Sequence, residues 1–269
     1  MSEERAQKAL ARMGFGSRRE IEQWIEQGKV RINGEVVQLG TKVKAGDRAE
    51  FNGKRIVIRA PKAEVRVLVY NKPSGEICSR KDEKDRKSVY DHLPKLTNSK
   101  WVSVGRLDFN TSGLLLFTNN GELANRLAHP SHEVEREYAV RVRGQLEKEK
   151  ITQLKKGVQL DDGMAAFDEI VDAGGEGANH GYNVVLREGK NREVRRLFEA
   201  VGVTVSRLMR VRYANIVLPK GLRQGRYVDL EQEEIKNLMN LVGLKLDEES
   251  ISREQSRQKK NKRYKKQGY

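Results

Sequence analysis

The chemistry open to this chain starts from one acid. Residues 101–118, WVSVGRLDFNTSGLLLFT, carry a single carboxylate, Asp108, beside Arg106 and followed by Asn110, Thr111 and Ser112. Short apolar runs on both sides, broken by Gly105 and Gly113, read as buried strands entering and leaving a loop. A carboxylate held there by rigid elements but facing solvent stands where functional sites are usually built. A plainer role is an Asx turn, in which Asp108 only accepts backbone N–H bonds. On residue types alone the turn is the simpler reading.

Rival centres are weak. His129 and His132 straddle Pro130, which spoils a helical ligand pair, and neither they nor His92 and His180 belong to a ligand motif. Cys78, the only cysteine, excludes an internal disulfide, suits a reducing cytoplasm and has no recognisable catalytic partner. Gly174-Gly175-Glu176-Gly177 follows the wrong elements for a nucleotide fingerprint and reads as a flexible turn. No cofactor and no metal are expected. Asp108, Tyr138 and the cluster of Arg192, Arg195 and Arg196 remain, although Tyr138 and Leu208 read equally well as core residues of strands.

Periodicity outlines the elements that must position these groups. Ala6, Ala9, Leu10 and Met13 recur at helical spacing up to Gly14. Ser17-Arg18-Arg19-Glu20 fits a capping box for a second helix that buries Ile21, Trp24 and Ile25. Asn33-Gly34 marks a two-residue hairpin, and Asn52-Gly53 a second turn. After a linker at 61–64, strands are expected at 65–70, 139–142, 166–171, 182–186, 203–213, 216–218 and 227–230. Helices are expected at 122–128, 147–155, 191–201 and 231–242. Residues 71–75 read as a turn, 82–87 as a mobile charged loop, and 174–181 as the turn of a strand pair. Short strands mixed with a few helices, without strict βαβ alternation, argue for an α+β fold with a mixed or antiparallel sheet.

The net charge of +15 and pI near 9.8 point to a polyanion such as nucleic acid or an anionic membrane surface. Residues 1–60 contribute +5, residues 253–269 contribute +7, and the 192 residues between only +3. A nearly neutral body thus carries basic attachments, the last of them a polar tail expected to be disordered. No apolar run approaches the roughly 18 residues of a membrane span, and the N-terminus lacks an apolar signal core. The expected setting is the cytoplasm.

Residues 8–37, KALARMGFGSRREIEQWIEQGKVRINGEVV, resemble the S4 RNA-binding domain. Lys72-Pro73-Ser74-Gly75, GRLDFNTSGLLLFTNNGELANRLAHP, EREYAV and REGKNREVRRLFEAVG, in that order, resemble the RsuA/RluB/RluE/RluF family of pseudouridine synthases. The resemblance implies an S4-like domain (αα plus β-hairpin) at 1–60, a catalytic domain at 65–245 and a basic tail at 246–269. It implies isomerisation of a uridine to pseudouridine in structured RNA, with the fine detail of the strings favouring 23S ribosomal RNA. Asp108 would be the nucleophile, Arg195 its cationic partner (Arg192 and Arg196 as fallbacks), and Tyr138 would stack on a flipped-out uracil. Leu208 would pack against the base. Arg106, Lys72, Arg192, Arg196, Arg18 and Arg19 would hold RNA. Alternatives are a 16S ribosomal or transfer RNA target, a non-catalytic ribosome-assembly factor, or a hydrolase, the last lacking a second carboxylate.

Overall fold

The computed structural model describes residues 3–59, 65–80, 82, 85–96, 99–176 and 178–245. The expected linker at 61–64, the tail at 246–269 and residues 83–84 of the expected mobile loop lie outside the described residues. The chain divides into two compact units: residues up to Val65 with 95–101, and Arg66–Pro94 with the chain from Val102 onward.

In the first unit the capping box forms as its residues dictate. Ser17 N–H donates to Glu20 Oε2 at 2.8 Å, Glu20 N–H donates to Ser17 Oγ at 3.2 Å, and the Arg18–Glu26 helix follows. Leu10 of the Ala6–Arg12 helix packs with Ile21, Ile25, Val30 and Phe51, and Trp24 stacks on Phe51. The antiparallel sheet runs in the order Glu35–Val36, Val30–Ile32, Arg48–Phe51, Lys54–Val57. Asn33 and Gly34 take positive φ at the first hairpin, as an Asn-Gly turn requires. Arg18 and Arg19 stand exposed on the first turn of their helix.

The second unit is built on a mixed sheet. Its strand order is Glu169–Glu176, Asn179–Leu186, Arg136–Arg143, Val205–Tyr213, Ser112–Thr118, Val67–Lys72, Tyr227–Asp229. The run Leu114-Leu115-Leu116-Phe117 is fully buried on both faces, as continuous apolar runs of interior strands are. Helices Gly121–Ala128, Lys148–Lys156, Glu193–Ala200 and Gln232–Leu241 form close to their expected places, and Asn120 caps the first of them. No helix among the described residues is long and apolar enough to cross a membrane.

Three local expectations are corrected. Gly174-Gly175-Glu176 is strand rather than flexible turn, with Gly174 paired to Gly181 and Gly175 to His180. A side chain on Gly175 would meet the Asn179 carbonyl at 2.3 Å, so glycine here serves close strand approach. Residues 166–168 are not strand, and the expected 166–171 segment begins pairing at Glu169. Asn71 and Lys72 belong to the Val67–Lys72 strand, so the turn begins only at Pro73.

Strands Ser112–Thr118 and Val205–Tyr213 run parallel and touch through Met209–Ser112 and Arg210–Gly113. Gly113 holds φ +100, and a Cβ there would lie 2.2 Å from the Arg210 carbonyl oxygen. Gly113→Ala is therefore expected to cost on the order of 3 kcal/mol, because both the backbone angle and the space are wrong. Urea unfolding of the variant against the parent checks this.

Candidate active site

Asp108 lies in the loop between strands Val102–Ser103 and Ser112–Thr118, and its neighbours are anchored from all sides. The Leu107 carbonyl accepts from Cys78 Sγ at 3.3 Å, and the Phe109 carbonyl accepts from the Gly75 N–H at 2.8 Å. Asn110 O accepts from Arg195 Nη2 at 3.0 Å. Beneath the loop, Lys72 Nζ donates to the carbonyls of Pro73 (3.0 Å), Asp108 (3.2 Å) and Thr111 (2.9 Å). The Asx turn read as the simpler role does not form: the turn here is closed by the backbone, Thr111 N–H donating to Asp108 O at 3.0 Å. Among the described residues no donor engages the Asp108 carboxylate, which is half-buried.

The carboxylate opens on a cavity of about 270 Å³ whose walls include Arg106, Asp108, Tyr138, Arg192, Leu208 and Arg210. Tyr138 (9 % exposed) stands on the Arg136–Arg143 strand directly opposite Arg210 of the neighbouring strand. Leu208 lies two residues before Arg210, hence on the same face of the sheet. The topology thus brings Asp108, Tyr138, Leu208, Arg106 and Arg192 to one place.

The three arginines of the 191–201 segment separate. Arg195 donates to Val205 O and to Asn110 O, each at 3.0 Å, and makes no ion pair with Asp108. Burial, then Arg192, pulls its guanidinium below the usual value, while the charge of Asp108 acts in the opposite direction. It is therefore a cation within the field of Asp108, acting on the loop through the backbone. Arg196 makes a forked pair with Asp162 at 2.8 and 2.9 Å and does not line the cavity, so its guanidinium is already taken. Arg192 takes a left-handed conformation before the Glu193–Ala200 helix, is exposed, and lies 3.4 Å from Glu199.

Lys72 requires a correction. Expected to touch RNA, it is fully buried with its ammonium on three carbonyls, so it holds the loop rather than a ligand. Burial lowers its pKa, opposed by Cys78, Glu76 and Asp108.

Two groups in the cavity wall were missed. Arg210 falls in the strand expected at 203–213, and its spacing of two from Leu208 was a usable signal. Glu193, a first-turn acid, is 4 % exposed. One of its carboxylate oxygens accepts from Lys190 N–H at 2.9 Å, the other is unpartnered, and burial raises its pKa. Nothing in the sequence separated it from an ordinary first-turn acid.

An unpartnered carboxylate on an immobilised loop, facing a half-enclosed cavity with an aromatic wall and cationic rim, can attack or stabilise the anomeric carbon of a nucleoside stacked on the ring. Residues 66–200 match the family model described as RNA pseudouridylate synthase, and residues 4–48 match the S4 domain. The chain belongs to the RNA pseudouridylate synthase family. The ribosomal large subunit pseudouridine synthase B of Yersinia pestis is 56 % identical over 253 residues, 93 % of this chain and 79 % of that protein. Its counterpart in Escherichia coli strain K12 is 55 % identical over 244 residues, 90 % of this chain and 84 % of that protein. A crystal structure of a pseudouridylate synthase superposes with a TM-score of 0.61 at 28 % identity, covering 87 % of this chain and 99 % of the other. The expected enzyme class, S4 domain and α+β fold with a mixed sheet are borne out.

If Lys72 positions the synthase's loop, Lys72→Met strips its donor from the Pro73, Asp108 and Thr111 carbonyls and costs about 2–3 kcal/mol. Of the three, Asp108 O keeps the bond from Thr111 N–H. Chemical denaturation reads that loss, and amide exchange should quicken at Asp108 and Thr111.

Proposed function

We propose that this synthase isomerises a specific uridine of 23S ribosomal RNA, with Asp108 as the nucleophile. The observation that carries the reading is the unpartnered Asp108 carboxylate, fixed by its neighbours' backbone bonds and sharing a cavity with Tyr138 and Leu208. The RNA target follows from the relatives, which carry the name ribosomal large subunit pseudouridine synthase B. The compartment proposed is the cytoplasm, where ribosomal RNA is assembled.

The target nucleotide leaves its helix so that C1′ and C5 become accessible. Its uracil stacks on Tyr138 and packs against Leu208, with C1′ facing Asp108. Carboxylate attack at C1′ releases the N1–C1′ electron pair to the base. The base turns, C5 attacks C1′ and displaces the carboxylate, the C5 proton departs and N1 gains one. Substrate and product have the same mass. Arg195 holds the Asp108 loop through the Asn110 carbonyl at 3.0 Å and places positive charge near Asp108. Arg106 and Arg192 hold phosphates at the rim, and Arg18 and Arg19 of the S4 domain (residues 1–60) hold RNA backbone.

Asp108→Asn should leave folding and RNA affinity unchanged and lower turnover on the order of 10⁴-fold or more. Chromatography of digested 23S RNA after reaction checks it, and retained turnover would refute the nucleophile. Mapping pseudouridines in cells lacking the enzyme identifies the position; sites lost from 16S or transfer RNA alone would move the substrate to those RNAs. Release of free uracil would instead mark a hydrolase. Replacing Arg18 and Arg19 by Gln should reduce the slope of log affinity against log salt by about one to two, as titrations at several salt concentrations would read.

A further inference from the structure

The steps above leave Arg210 without a task, and its surroundings demand one. It is 2 % exposed and lines the cavity with Asp108, Tyr138 and Leu208. Nε donates to Leu114 O at 2.8 Å, while neither terminal amino group has a hydrogen-bond partner among the described residues, and Nη2 is also closed off from water. No carboxylate among the described residues forms an ion pair with it, and its Cζ lies 4.9 Å from the centroid of the Tyr213 ring. A guanidinium stays charged at any working pH. An unpaired buried charge is costly, and a fold retains one where a ligand brings the counter-charge.

Register says what that ligand presents. Arg210 pairs directly with Tyr138, and side chains of directly opposed residues rise on the same face. Both side chains therefore leave the sheet on one face and line the cavity in which the base is proposed to stack. Arg106 and Arg192 also reach the cavity, but both are exposed, as phosphate contacts at a rim would be. A cation withdrawn from solvent at the base itself calls for a charge that exists only during the reaction.

Breaking the N1–C1′ bond creates that charge. The electron pair stays on the uracil and spreads over N1, O2 and O4, while C1′ is bonded to an Asp108 oxygen. We propose that Arg210 is the catalytic counter-charge of this uracil anion, donating from its terminal amino groups to a carbonyl oxygen of the base. When C5 attacks C1′, that negative charge is consumed, the C5 proton leaves and N1 takes one up. Arg210 itself exchanges no proton. The proposal rests on the assignment of Asp108 as nucleophile.

The test compares target uridine with target 5-fluorouridine, whose base is the more acidic leaving group, in single-turnover reactions of Arg210→Gln and Arg210→Lys on a 23S RNA fragment. Disappearance of the parent nucleoside is followed by chromatography of digests. Arg210→Gln should lose about 10²–10³-fold on uridine with RNA affinity within about twofold, and at least tenfold less on 5-fluorouridine. Arg210→Lys keeps a charge and should fall between. Each comparison is made within one preparation, so a reduced folded fraction cancels. Equal losses on both bases, a loss confined to affinity, or no loss would overturn the proposal and leave Arg210 as a tether for Leu114. A wrong assignment of Asp108 shows separately, as turnover retained in Asp108→Asn.

Discussion

One ammonium group holds the Asp108 loop in place. Lys72 projects from the end of its strand into a site closed to water and gathers the carbonyls of Pro73, Asp108 and Thr111 around Nζ. Charge-assisted bonds in such surroundings are strong, and moving any of the three carbonyls would leave a buried cation short of a partner. The loop is therefore fixed from below through its main chain. That division leaves the Asp108 side chain without a donor among the described residues, as its proposed role requires.

The sheet supplies the other half of the site. Strands Val67–Lys72 and Ser112–Thr118 are buried on both faces, so they resist displacement, and cavity groups stand on the strands beside them. Tyr138, Leu208 and Arg210 come from two neighbouring strands at fixed register, while Asp108 enters through the loop that leads into the third. Basic residues sort by burial. Lys72 and Arg210 are closed off, Arg195 is half-buried against the loop, and Arg106 and Arg192 face solvent. The inner ones organise the protein or meet charge in the base, and the outer ones suit a phosphate backbone.

Much of this was legible in the residues. Asn-Gly at 33–34, the Ser17–Glu20 box and the LLLF run at 114–117 each carry a local physical signal, and each formed as read. Asp108 was visible as a loop acid, but its freedom was not, because the donors that could have engaged it are set by Lys72, Gly75, Cys78 and Arg195, distant in sequence. The same gap explains Lys72, which as a strand-end lysine is indistinguishable from a surface cation until burial is known. Arg195 and Arg196 are adjacent, and only tertiary contacts send one to Asn110 and the other to Asp162. The glycines at 174–175 misled for the opposite reason: glycine marks turns and tight strand pairs alike.

The bond from Arg210 to the Leu114 carbonyl joins residues 96 positions apart, and the parallel pairing at Gly113 closes the same long loop. Contacts of such sequence separation form late, after local hairpins and helices are in place. The Asp108 loop can be tethered by Lys72 and Gly75 long before the wall carrying Leu208 and Arg210 exists. During synthesis, then, the chain carries Asp108 for roughly a hundred residues before the cavity around it can close. The timing of competence is written into strand order: no nascent fragment ending before Tyr213 possesses a complete site.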